Sequence, residues 1–133
     1  MPHLAALLLI TTICTGLISC NKKGDTTPVE GKWNLFRSEH KEWRDGRNTQ
    51  YSKKYEALTY FVFNTDNTFV GQSDGDDKVG FWKLDGDNLQ IRYDSYGTHN
   101  FKILTVNAES LVMFFKHDLG GDDYNEETYY FRK

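Results

Sequence analysis

Few residues in this 133-residue chain are placed to do chemistry, and the most distinctive of them is Cys20. It follows an uncharged apolar run from Leu4 to Ile18 and the small Ser19, and a polar stretch begins directly after it. Cleavage after Ser19 would leave this thiol on the first residue of the mature chain. Cys14 lies inside the apolar run and would be removed with it. The mature chain would then hold no disulfide and no cysteine metal ligand, so its stability would rest on its core. His40, His99 and His117 are far apart and lack metal-ligand spacing. Asp74-Gly75-Asp76-Asp77 invites a calcium reading, but an EF-hand loop would need Gly and Glu where Val79 and Asp85 stand. No Gly-x-Ser-x-Gly elbow and no phosphate-binding glycine loop is found. The expectation is a protein that is not an enzyme and uses neither a metal nor a cofactor.

Leu17-Ile18-Ser19-Cys20 resembles the lipobox of bacterial lipoproteins. The apolar run is shorter than the roughly 20 residues of a membrane span and suits the h-region of a signal peptide. The n-region Met1-Pro2-His3 departs from the pattern in carrying no Lys or Arg. The resemblance implies a signal peptide over residues 1–19, lipidation of Cys20, and a membrane as partner through that lipid. Several acyl chains would hold the protein far more firmly than one, at about 0.8 kcal/mol per buried methylene. In many such lipoproteins an Asp after the cysteine retains the protein at the inner membrane. Asn21 occupies that position, which points to the outer membrane and leaves its periplasmic and surface faces open.

Residues 20–30 read as the lipidated cysteine and a polar tether, and residues 31–133 as one domain. All three Trp, eight Tyr and nine Phe fall in that domain, a large apolar reserve for its size. The net charge of −3 is small and the signs are mixed, so there is no basic stripe for nucleic acid.

The elements that carry these side chains read as strands. Turn signals recur at Asp45-Gly46, Asp66-Asn67, Asp85-Gly86-Asp87, Asp94-Ser95, Asn107-Ala108 and Gly120-Gly121. Between them, strands are predicted over residues 31–43, 48–55, 57–64, 68–73, 78–84, 88–93, 99–106, 110–117 and 126–132. Short loops favour an antiparallel up-and-down meander, and closing it into an all-β barrel of about eight or nine strands removes exposed edges.

Gly31-Lys32-Trp33-Asn34-Leu35 opens the domain, and Gly80-Phe81-Trp82-Lys83-Leu84 repeats its Gly-x-Trp-x-Leu form. An early Gly-x-Trp ahead of a meander resembles the lipocalins. The Phe-rich turn from Phe63 to Phe69 and the second Gly-x-Trp before Gly86-Asp87-Asn88-Leu89 extend the likeness to small lipocalin-like bacterial lipoproteins. The resemblance implies a calycin-type barrel with Gly31 and Trp33 as structural residues. It also implies a basic residue, here Arg132, packed across Trp33. The chain lacks room for the C-terminal helix of larger lipocalins, and Asp123-Tyr124 only echoes their Thr-Asp-Tyr motif.

A barrel of this kind is either filled by side chains or holds one small ligand. Strand alternation places Arg37, Glu39 and Lys41 on the same face as Trp33 and Leu35, a face that starts apolar and ends polar. Ser38 to Glu56 is charged and could stand as a rim, with Trp43, Tyr51 and Tyr55 as contacts. The expected ligand is small and apolar or amphipathic, bound at the mouth by Trp33, Tyr60, Phe63, Phe69, Trp82, Tyr93 and Phe101. Strands 57–63 and 111–115 carry apolar residues on both faces, so Tyr60, Val62, Val112 or Phe114 should show surface. The alternative is a solid barrel acting as a protein- or glycan-interaction module, with an envelope protein or a second copy on that outer aromatic face.

Overall fold

The computed structural model describes residues 28–55, 59–73 and 75–133. The signal segment, Cys20, most of the tether, Ala57-Leu58 and Asp74 lie outside the described residues. The described chain forms nine strands: β1 (Gly31–Arg44), β2 (Arg47–Lys54), β3 (Tyr60–Phe63), β4 (Thr68–Ser73), β5 (Asp76–Asp85), β6 (Asn88–Tyr93), β7 (Gly97–Val106), β8 (Ser110–Gly120) and β9 (Asp123–Arg132). All neighbours are antiparallel, and pairing of β1 with β9 closes an eight-stranded barrel of β1 and β3–β9. β2 is the additional strand. The first residues of β1 pair with β3, whereas Arg37 to Arg44 pair with β2 along the same edge. Every residue of β2 is exposed, and Arg47, Lys53 and Lys54 keep its outer edge charged.

The interior follows the two-residue period of the strands. Trp33, Phe63, Phe69, Phe131, Leu89, Ile91, Leu111 and Met113 are buried at one end of the barrel and form its floor. Phe63 lies 5.3 Å from Phe69 and 5.7 Å from Trp82, in tilted and edge-on contacts of the kind worth about 0.5–1.5 kcal/mol beyond their area. Both indole N–H groups donate to carbonyls at this end, Trp33 to Val29 (2.8 Å) and Trp82 to Asn64 (2.9 Å). Val29 is fully buried, so the polar tether read over residues 20–30 gives way to core before Gly31.

The two Gly-x-Trp-x-Leu copies are not a repeated unit, because β1 and β5 run in opposite directions along the barrel. Their glycines also serve different ends. Gly31 adopts φ +113°. At Gly80 a Cβ would sit 2.9 Å from the carbonyl carbon of Arg92 and overlap its oxygen, so β5 and β6 approach there only because no side chain intervenes.

Two expectations change. Arg132 does not cover Trp33: it points outward with its guanidinium over Phe36, 5.5 Å from the ring centroid. Phe131 points inward, so alternation hands the indole to Lys133, whose ammonium stands 4.0 Å from the ring centroid. The inner face of β1 does not continue through Arg37, Glu39 and Lys41. A bulge between Leu35 and Arg37 shifts the register against β9, and Phe36 is exposed at it. Beyond it Ser38 is buried and faces inward with His40 and Glu42, while Arg37, Glu39 and Tyr130 meet on the outside. Asp66-Asn67 forms the turn read from sequence. The hydroxyl and backbone N–H of Thr68 both donate to Asp66, holding its carboxyl below the usual range.

Candidate functional site

Above the floor the barrel is not filled. A cavity of about 380 Å³ lies toward the opposite end, in the lower part of the range for ligand pockets. Its lower wall is made by Leu35, Phe61, Gly71 and Phe101, and its upper wall by Tyr55, Tyr93, Tyr96, His99 and Tyr129. Thr59, Gln72, Ser73 and Lys78 complete it near the mouth. Each strand contributes by its period: Phe61 is two residues from Phe63, Gly71 two from Phe69, Tyr93 two from Ile91, and His99 two from Phe101.

The space exists partly because Gly71 has no side chain. A Cβ there would lie 3.0 Å from the Phe69 ring and 3.3 Å from the Phe61 ring. The aromatic wall is ordered by ring contacts, with Tyr93 edge-on to Phe69 at 5.5 Å and to His99 at 5.2 Å. His99 in turn stacks on Phe115 at 5.5 Å. Burial pushes the Tyr93 hydroxyl up to about 12, so it faces the cavity as a neutral donor.

On the β1–β9 side the wall carries a polar cluster. Ser38 Oγ and Tyr55 Oη share a hydrogen bond of 3.2 Å. The Tyr129 hydroxyl donates to Glu127, and the His40 ring nitrogens lie 3.4 Å from Glu127 and 3.6 Å from Glu42. Tyr51 stacks on His40 at 4.6 Å, so the β1–β2 hairpin joins the rim through Tyr51 and Tyr55. Among the described residues no cluster of three or more His, Cys, Asp or Glu side chains is placed to hold a metal.

Of the seven residues read from sequence as ligand contacts, Tyr93 and Phe101 line the cavity. Trp33, Phe63, Phe69 and Trp82 belong to the floor, packed against one another beneath it. Tyr60 is on the outer face, since Phe61 and Phe63 take the inward positions of β3, and the Lys32 ammonium lies 4.0 Å from its ring centroid. Tyr60, Val62, Val112 and Phe114 are half-buried on that face rather than enclosed. Among the lining residues missed as contacts are Phe61, Gly71, Lys78, Tyr96, His99 and Tyr129. His99 and Tyr129 follow from period two once Phe101 and Phe131 are known to point inward, but Gly71 carries no apolar signal.

A closed antiparallel barrel with a sealed aromatic floor and an aromatic cavity open at one end defines the calycin class of architecture. Within it, this chain belongs to the lipocalin-like domain family, whose profile matches residues 29–113. Among solved structures, an uncharacterized protein from Bacteroides eggerthii is similar at 18% identity and a TM-score of 0.50, over 78% of this chain and 98% of that one. Apocrustacyanin C1 is similar at 14% identity and a TM-score of 0.57, and apocrustacyanin C2 at 13% and 0.53. Both crustacyanin alignments cover 84% of this chain, which spans 64% of each of those chains. No curated protein matches this chain.

Proposed function

We propose that this protein is a small-molecule-binding barrel anchored in the cell envelope, taking an apolar or amphipathic ligand into the cavity between Phe101, Phe61 and the mouth tyrosines. The observation that carries the reading is the cavity itself, about 380 Å³ of aromatic-walled space above a floor already sealed by Trp33 and its neighbours. Lipocalin-like domains are binding barrels, which supports the same conclusion, and binding rather than catalysis is the proposed role. Native mass spectrometry of the chain expressed from Asn21 tests it: a co-purifying small molecule supports the reading. A barrel that carries none, and takes up no apolar probe, overturns it.

Anchoring at the outer membrane through lipidated Cys20 is part of the proposal and rests on the Leu17-Ile18-Ser19-Cys20 junction. Cys20→Ala should release the protein from membranes and leave the barrel folded; a variant that stays membrane-bound removes the anchor and leaves the binding reading intact. A second reading, contact with an envelope protein, a glycan or another copy through the outer face, is favoured by Phe36. That ring is pushed out by the β1 bulge and is 37% exposed. A stable dimer in solution that Phe36→Ser dissolves would support it, and a monomer would count against self-association.

A further inference from the structure

On the β1–β9 side of the barrel the carboxylates are engaged, whereas Asp76 and Asp77, exposed at the start of β5, have no ion-pair partner among the described residues. Glu127 accepts from Tyr129 and sits against His40, Glu42 lies 2.9 Å from Arg44, and Glu126, facing outward, lies 3.8 Å from Lys41. Glu39, on the outer face, takes Arg37 and the Tyr130 hydroxyl. Two lysines differ. Lys78 occupies an inward position of β5, in step with Gly80 and Trp82, and lines the cavity. Its ammonium lies 4.9 Å from the ring centroid of Tyr96, and that of Lys53 lies 4.7 Å from the ring centroid of Tyr55. Both tyrosines line the cavity. Among the described residues neither lysine has a carboxylate partner, and no described Asp or Glu lines the cavity.

Building on the binding function proposed above, we infer that the cavity selects amphipathic anions. The apolar tail lies among Phe61, Phe101 and Leu35, and the anionic head sits at the mouth facing Lys78 and Lys53 with the Tyr93 hydroxyl as donor. A hydrogen bond to a charged acceptor is worth roughly twice a neutral one, and a partly dry mouth strengthens it. The ammonium groups are held over aromatic faces, which leaves N–H donors free for a ligand. With about 30 Å³ per water, the cavity has room for roughly a dozen non-hydrogen atoms, the size of a ten-carbon chain with a small head.

The test uses the full chain carrying Cys20→Ala, titrated calorimetrically with decanoate, decyl phosphate, decanol and decylammonium. Decanoate and decyl phosphate should bind about tenfold more tightly than decanol, and decylammonium most weakly. Lys78→Met should remove most of that preference, Lys53→Met should remove part of it, and added salt should narrow it. A preference for decyl phosphate over decanoate would identify a phosphate-type head, and the reverse a carboxylate. Equal affinities for the anions and decanol, or a preference that survives both lysine substitutions in a folded protein, would overturn the inference while leaving the cavity as a binding site. Failure of every probe to bind would overturn both.

Discussion

The ammonium of Lys133 caps the indole of Trp33, 4.0 Å from the ring centroid, and donates to the Glu30 carbonyl at 3.0 Å. One side chain thereby ties residue 133 to the segment that leads into β1. Lys133→Ala should lower unfolding free energy by about 0.5–1 kcal/mol, the worth of an exposed cation–π contact. Arg132→Ala, acting on the exposed Phe36, should cost less than that. Urea denaturation of the two variants checks the order, and a larger loss at Arg132 would return the capping role to that residue.

Gly80→Ala should be far more damaging than its size suggests. The added methyl has to displace the backbone carbonyl of Arg92, and overpacking of this kind costs about 1–3 kcal/mol or more where only backbone can yield. Thermal unfolding should show a clear drop in midpoint, in contrast to a substitution at exposed Lys83 one strand turn away.

Gly71→Ala should act on the cavity more than on the fold. The new methyl presses on the Phe69 and Phe61 rings, and of these Phe61 borders the cavity and can swing into it. Affinity for an apolar fluorescent probe should fall by about tenfold, with a stability cost of about 1 kcal/mol, at the low end for overpacking because the rings can yield. An unchanged affinity would show that Phe61 does not set the size of the cavity.

The buried Tyr93 hydroxyl gives stability a dependence on alkaline pH. Its folded value lies at about 12 against an ordinary value of 10.0, so the folded state favours the protonated form. The contribution is complete below pH 10 and is lost as the pH rises toward 12, amounting to about 2–3 kcal/mol over that window. Because other groups titrate there too, the readout is the difference between wild type and Tyr93→Phe. The variant should lose less stability between pH 9 and 12, and parallel curves would remove Tyr93 as the cause.

The strands were legible because turn residues fall between aromatic and β-branched runs, and the shared inward face of Trp33 and Leu35 was legible through their period-two spacing, although Trp33, Phe63, Phe69 and Trp82 were read as ligand contacts rather than as the floor they form. What lies above the bulge was not. One residue, Phe36, inverts every later position of β1, and it does so because of how β1 pairs with β9, almost a hundred residues away in sequence. The cavity was hidden for a related reason. Its volume depends on an absent side chain at Gly71 and on which aromatics stop at the floor, and residue type alone does not separate Phe69, which fills space, from Phe101, which borders it. Lys133 in place of Arg132 is the same lesson at the scale of one residue, since a shift of one position exchanges inside for outside.

Val29 lies against the floor, and Lys133 reaches back to Glu30, so the chain both enters and leaves the barrel at its closed end. The described chain therefore begins and ends beneath the floor, and neither end crosses the mouth around Tyr55, Tyr93 and Tyr96. A tag or surface linker joined after Lys133 would stand at the base of the barrel and leave the mouth open.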